Sequence, residues 1–406
     1  MGCSSSKESM KNVAIHEGEE KELDHGQQNI GELKKTQKKI SVYQSVAFTN
    51  KNLVNSNLIL YTSYFNTNSD FNSAMENSKE KVEKLTFKSS NHTIAVGYKK
   101  GYKLEFVNQD KFCVFLNGNL DAFFIIDGHG YFGNKLAQIC QDILVDFVFH
   151  LKQEDFINDY QNKYEEIFEL INKKINNREE KTYGKYDPYL SGVAVTIIIR
   201  IRNHLYTANV GNVLAVLLSN DKLMPSKFNI TELTFNDSNF SEDVVNNIDK
   251  QSVDKNQQAG DMLIESLIDP DEINMEIRRI YEHGGEIRKL LGETKSRIFV
   301  KGKYFPGLIN TRSLGDHIGK GIGILSKPHI TKYKLNKSQK YFLLMCSDGI
   351  SNVCGISKLV NLLQRNEQLL LESVTSIITE SKGMYRTHSY TPDMTLIIKE
   401  FKFEDF

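Results

Sequence analysis

Two spacings of apolar residues alternate along this chain. Over Leu136–Leu151 they recur three and four apart (Leu136, Ile139, Ile143, Leu144, Phe147, Val148, Leu151), which lines them up on one face of a helix. The same spacing predicts helices over Glu154–Asn176, Glu272–His283, Ile356–Gln364 and Gln368–Lys382, each with a single apolar face. Continuous runs rich in β-branched and aromatic residues, such as Phe123–Ile126, Ala194–Ile201, Leu205–Leu218, Phe342–Cys346 and Thr395–Ile398, predict strands in largely buried sheets. Ala194–Ile201 and Leu205–Leu218 read as a hairpin closed at Arg202-Asn203-His204. Strand runs outnumber helices, and one-faced helices belong on the outside of sheets, so the pattern predicts an α+β protein built in layers.

The remaining stretches lack such patterning. Residues 1–45 are polar and mixed in charge and read as a flexible segment, with a short helix expected around Gly31–Lys39. Residues 46–91 gain apolar positions (Leu58-Ile59-Leu60-Tyr61) but stay rich in Asn and Ser, and are expected to form a docking or linker segment or an extra strand. The patterned part begins at about residue 92 and runs to 406, interrupted at about 235–267 by a polar insertion dense in Asn, Asp, Ser and Gln. Acidic and basic residues number 51 each, so no net field draws the chain to nucleic acid. Five cysteines without a CxxC spacing argue for a reducing compartment over a disulfide framework.

Chemistry concentrates in four strings: FFIIDGHG (Phe123–Gly130), TRSLGD (Thr311–Asp316), FLLMCSDG (Phe342–Gly349) and PDMTLII (Pro392–Ile398). In the first and third, a strand-like run stops at an Asp followed by Gly, which puts a carboxylate where the backbone turns sharply. In the fourth, Asp393 precedes its run. If these strands pair antiparallel, Asp127, Asp348 and Asp393 gather at one edge of a sheet. Gathered hard oxygens suit Mg²⁺ or Mn²⁺ better than zinc.

The strings resemble the type 2C metal-dependent Ser/Thr protein phosphatases, the PPM family. Asn108-Gln109-Asp110 with Phe112 looks like that family's NQDxF element, and SGVAVT (Ser191–Thr196) and ANVGN (Ala208–Asn212) look like its SGxTA and ANxGD strands. Gly284-Gly285 and Pro306-Gly307-Leu308 continue the likeness in the family's order, over about Ile94–Phe403. The resemblance implies a four-layer α-β-β-α sandwich of two mostly antiparallel sheets, with two Mg²⁺ or Mn²⁺ ions at one end. It implies hydrolysis of phosphoserine and phosphothreonine in a phosphorylated protein substrate by a water activated between the ions. Asp127 would bridge the ions, the Gly128 carbonyl and Asp348 would each add a ligand, and Asp393 would complete the set. His129 would be the general acid toward the leaving oxygen, and Asp110 would orient the attacking water.

Three positions depart from the family's pattern. Asn212 stands where ANxGD has the acidic ligand of an accessory third metal site. Strict alignment on Met394-Thr395 puts Pro392 at the closing Asp, with Asp393 one place later, so a bend at Pro392 is needed to aim that carboxylate at the metals. Glu105 stands near the place of a phosphate-holding Arg, which leaves Lys103 as the expected point charge for the substrate phosphate. These departures keep an alternative open: a catalytically weakened phosphatase-like domain acting as an anchored binding or regulatory module.

The N-terminus reads as a membrane address. Met1-Gly2-Cys3-Ser4-Ser5-Ser6 fits N-myristoylation at Gly2 with palmitoylation at Cys3. Two acyl chains make anchoring stable where one is marginal, so the expected location is the cytoplasmic face of a membrane, peripheral and lipid-anchored.

Overall fold

The structure, a computed structural model, describes residues 59–62, 83–89, 92–102, 107–118, 120–177, 186–220, 228–238, 257–259, 262–266, 271–291, 293, 295–365, 369–386 and 390–401. The chain divides into two units, Met1–Asn50 and Lys51–Phe406, and every described residue lies in the second. Gly2, Cys3 and Lys103, and the helix expected at Gly31–Lys39, lie outside the described residues.

Strands β1 (Ile59–Thr62), β2 (Glu83–Ser89), β3 (His92–Lys99), β4 (Asp110–Asn117) and β5 (Leu120–His129) lead into helices α1 (Gly133–Phe149) and α2 (Gln153–Asn176). Next come β6 (Gly192–Ile201), β7 (His204–Val210), β8 (Leu214–Asn220), β9 (Phe228–Glu232), β10 (Gln257–Ala259), β11 (Met262–Ser266) and helix α3 (Asp271–Glu282). A small antiparallel sheet of β12 (Gly285–Lys289), β13 (Ser296–Val300) and β14 (Pro306–Leu308) precedes β15 (Leu314–Gly315), the short helix α4 (His317–Lys320) and β16 (His329–Lys334). The chain continues through β17 (Tyr341–Cys346), the single-turn helix α5 (Asp348–Ser351), helices α6 (Ile356–Arg365) and α7 (Leu370–Met384), and β18 (Met394–Phe401).

One large sheet has the order β1-β4-β5-β6-β7-β16, with β15 also on β6; the other has the order β10-β11-β9-β8-β17-β18-β3-β2. All pairings are antiparallel except β11 with β9. Side-chain alternation explains how the layers stack. In β17, Tyr341, Leu343 and Met345 join Phe123, Ile125 and Ile198 of the first sheet in the core between the sheets. Phe342, Leu344 and Cys346 face the other way and pack with Leu359, Leu363, Val374 and Ile377 of α6 and α7. On the far side α1 covers β4, β5 and β6, and α2 packs on α1. The four-layer α+β sandwich is thus present.

Three expectations need correction. The run Leu205–Leu218 is not one arm of a hairpin: β7 pairs with β6 and ends at Val210, and the chain then crosses to the other sheet as β8. Gly211, at φ +86, makes that crossing, and a Cβ there would lie 2.4 Å from the Ala194 Cβ, so only glycine fits. The insertion contains strands, since β10 and β11 extend the second sheet, and it starts later than expected, because Asn209 Nδ2 donates to the Phe235 carbonyl and Asp237 is buried. Finally, β5 belongs to one sheet and β17 and β18 to the other, so the acidic strand ends meet across the sandwich and not along a single sheet edge. Residues 59–62 and 83–89 form edge strands, the extra-strand option for the 46–91 segment.

At the end of β5 remote from Asp127, Arg200 is buried and donates to Asp121 (2.7 Å) and to the carbonyls of Gly118 (2.6 Å) and Arg202 (3.0 Å). This ion pair ties the β4–β5 turn to the β6–β7 turn. Asp121→Ala is expected to lower unfolding free energy by about 3–5 kcal/mol, because it strands a buried guanidinium; urea unfolding measures it.

Candidate active site

β4 and β5 pair so that Asp110 lies opposite Asp127, and β17 ends two residues before Asp348. Asp127 is half-buried, and its Oδ2 accepts the backbone N–H of Asp348 at 3.3 Å, so the end of β5 in one sheet is tied to the residue that follows β17 of the other. Asp348 opens α5, where a helix N-terminus tolerates its charge. Next to Asp127, the Gly128 peptide is held by its N–H on the Gln109 carbonyl (3.3 Å). A Cβ on Gly133 would stand 3.1 Å from the Gly128 carbonyl oxygen, so the glycine keeps that oxygen open.

Asp110 is buried behind this pair. Its Oδ2 accepts the Thr395 hydroxyl at 2.7 Å, and its N–H donates to Asn108 Oδ1 at 2.9 Å. Burial pushes its carboxyl up to about 7, helped by the neighbouring charges of Asp393 and Asp348 and opposed by the hydroxyls of Thr395 and Ser347. Ser347 and Thr395 also bind each other through N–H donation to a carbonyl (3.0 Å) and to a hydroxyl (2.9 Å), which locks β17 to β18 at the site.

Asp393, expected to complete the metal-holding set, is buried beside Asp110. Both of its oxygens accept backbone N–H groups: Oδ1 from Gly101 at 2.7 Å and Oδ2 from Gln109 at 2.9 Å. Asp393 therefore anchors the loop that carries Asp110.

His129 leaves β5 with its Nε2 at 2.7 Å from Asp316 Oδ2. The imidazole is one-third exposed (34%) and the carboxylate is sealed (1%). Burial acts to lower the His129 pKa, but the charge and hydrogen bond of Asp316 outweigh it and hold the pKa above its ordinary value. His129 reciprocally holds the Asp316 carboxyl low against the opposing effect of burial. Asp316 had no role assigned from sequence, although it closes TRSLGD. It sits in the left-handed region at φ 47, and Gly192 makes room for the pair, since a Cβ there would lie 2.3 Å from Asp316 Oδ2.

A second buried network supports the site from behind. Asp237 accepts the Gly211 N–H (2.5 Å), the Thr311 hydroxyl (3.2 Å) and His329 Nε2 (3.0 Å), so it fixes both the crossing turn and the start of TRSLGD. Asp237, Glu276 and His329 lie close enough together to resemble a metal site. Their atoms are already engaged: Arg279 and Arg312 grip Glu276, and Glu272 takes His329 Nδ1 at 2.7 Å. A cation there would have to displace two guanidinium groups, so this is an ion-pair network holding α3 to the sandwich.

The sequence model of Protein phosphatase 2C matches residues 98–242 and 270–385, well over half of the chain, and the chain belongs to that family. It is a Ser/Thr protein phosphatase, a hydrolase that works with two Mg²⁺ or Mn²⁺ ions. The break between the matched segments falls at the insertion. Among curated proteins, probable protein phosphatase 2C 35 of Arabidopsis thaliana is 24% identical over 307 residues, covering 73% of this chain and 79% of its own. Probable protein phosphatase 2C 61 of the same plant is 22% identical over 244 residues, 60% of this chain and 63% of its own. The crystal structure of serine-threonine phosphatase 2C from Toxoplasma gondii has the same fold, with a TM-score of 0.56 at 10% identity over 78% of this chain and 97% of that one. The donor set fits the ions: it is all hard oxygen, and the charges of Asp393 and Asp348, which add to burial in raising the Asp110 pKa, are what a divalent cation offsets.

Asp316→Asn removes the charge that raises the His129 pKa and leaves the burial that lowers it. The form able to donate a proton is then lost at lower pH as pH rises. Phosphopeptide hydrolysis should show the alkaline limb of kcat moving to lower pH, with a loss of about tenfold or more at pH 8 and a smaller one at pH 6. An unmoved limb would make Asp316 merely structural.

Proposed function

We propose that this chain hydrolyses phosphoserine and phosphothreonine in proteins at a membrane surface, using Asp127, the Gly128 carbonyl and Asp348 as metal-holding groups. The observation that carries the reading is the hydrogen bond of the Asp348 N–H to the Asp127 carboxylate, which joins the two sheets at the end of β5 that also carries the Asp316-bound His129. The ions supply charge neutralisation for the phosphoryl group and a water acidic enough to attack it at neutral pH. Asp127, whose Oδ2 accepts the Asp348 N–H, would be the carboxylate that both ions share. Asp110, fixed by Thr395 and Asn108, would orient the attacking water. As the phosphorus–oxygen bond to the substrate breaks, protonated His129 donates its proton to the departing Ser or Thr oxygen, and Asp316 stabilises the imidazolium beforehand. Lys103 remains the proposed point charge for the substrate phosphate.

The engagement of Asp393 with Gly101 and Gln109 favours a weaker hold on the metals than three carboxylates would give. It is the observation behind the second reading, a weakened catalytic domain serving as an anchored regulatory module. Membrane attachment rests on the Gly2 and Cys3 pattern. No helix among the described residues is long and apolar enough to cross a membrane.

Asp127→Asn should abolish Mn²⁺-dependent phosphopeptide hydrolysis, by at least about a thousandfold, while leaving the thermal melt near wild type. Wild-type protein inactive with every divalent ion would favour the regulatory module. Gly2→Ala should move the protein from membrane to soluble fractions, since the acylated amine is lost; unchanged fractionation would remove the proposed anchor.

A further inference from the structure

Lys295 stands at the entry to β13, in the small three-stranded sheet, and reaches across to the metal end of the sandwich. Its Nζ donates to Asn352 Oδ1 at 2.6 Å and to Ser238 Oγ at 3.1 Å. Asn352, one turn beyond Asp348 in the chain, directs its own Nδ2 at Asp348 Oδ2 (3.3 Å). Asn212, from the crossing turn after β7, directs its Nδ2 at the same oxygen (3.3 Å) and is itself held by Asn310 Nδ2 on its Oδ1 (3.3 Å). One oxygen of Asp348 is therefore faced by two amide donors, and an ammonium stands directly behind one of them. Asp348 is the charged group whose field acts on Lys295.

The arrangement has a definite electrostatic sense. An amide that turns its N–H₂ toward a carboxylate presents the wrong end to a cation, and its oxygen is a weaker ligand than a carboxylate even when flipped. The Asn352 oxygen is already bound to an ammonium, and the Asn212 oxygen to another amide. A fixed positive charge within a few ångströms repels a divalent ion in a partly buried site far more than in water. We infer that Lys295 is a counter-charge supplied by the protein, which with Asn212 and Asn352 closes this side of Asp348 to any further divalent ion, so that the centre holds two ions and no third. The inference rests on the two-ion reading above and adds to it the reason the count stops at two. It also assigns a role to the small sheet: β13 delivers a charge to the catalytic end.

The test is Mn²⁺ titration of the full chain by calorimetry, with bound Mn²⁺ counted independently by electron paramagnetic resonance. Wild type, Lys295→Arg and Asn212→Asp, which all keep a cation at position 295, should bind two ions. Lys295→Met, which keeps the side-chain length and removes the charge, should tighten the weaker step by on the order of tenfold. Lys295→Met combined with Asn212→Asp should bind three. A third ion in wild type would overturn the inference, and so would Lys295→Met matching wild type in affinity while the double variant stays at two. In both cases the two-ion phosphatase reading survives, whereas a wild type that binds no Mn²⁺ sinks both. Thermal melts confirm that each variant is folded, and Lys295→Met alone decides the matter should the double variant fail to fold.

Discussion

Like charges forced together govern this structure. Asp110, Asp127, Asp348 and Asp393 come from three strand ends and a helix start, and Asp110 and Asp393 are almost wholly buried. Separately solvated, these carboxylates would repel one another weakly; at the end of the sandwich, burial first and the charges of Asp393 and Asp348 second push the Asp110 carboxyl up to about 7. The fold tolerates this because each of the four carboxylates accepts at least one hydrogen bond. Thr395 serves Asp110, the Asp348 N–H serves Asp127, two amides serve Asp348, and the backbone of Gly101 and Gln109 serves Asp393. Divalent ions complete what these donors begin, so the same crowding that strains the apo site defines the chemistry it is suited to.

Positioning then follows from pairing. Pairing with β4 sets Asp110 opposite Asp127, pairing with β6 sets Gly192 opposite His129, and β15 brings Asp316 in beside Gly192. The proposed general acid, its positioning carboxylate and the proposed bridging carboxylate are brought together by β5 and the strands around it. Behind them Asp237 holds both the crossing turn that carries Asn212 and the start of TRSLGD, which ends in Asp316. The small sheet adds Lys295 from a third direction.

Much of this was legible in the sequence, for identifiable reasons. Helices with one apolar face, such as Gly133–Phe149 and Ile356–Arg365, announce themselves through spacing, and strands that stop at Asp-Gly announce where carboxylates sit. The crossing after Val210 was hidden because Leu205–Leu218 is continuously apolar; the break is a backbone conformation at Gly211, not a change of polarity. Asp393 was read as a ligand because it is the acidic residue at the start of the final apolar strand; sequence does not show which backbone N–H groups meet its oxygens. Lys295 and the Asp316–His129 pair were missed because each joins segments distant in the chain, although a Gly-Asp ending in TRSLGD was a usable sign. The strands of 257–259 and 262–266 lie in a polar stretch whose composition resembles a loop, and their pairing depends on β9.

The central claim is that two hard cations are held by Asp127, Asp348 and the Gly128 carbonyl, with Asp393 left on the backbone. A crystal structure of the Mn²⁺-loaded protein, with anomalous scattering recorded at the manganese edge, tests it most directly. The account predicts two anomalous peaks flanking Asp127, oxygen ligands from Asp348 and Gly128 at about 2.0–2.3 Å, and Asp393 still bonded to Gly101 and Gln109. Peaks away from Asp127, or Asp393 swung off its amides to ligate manganese, would contradict it.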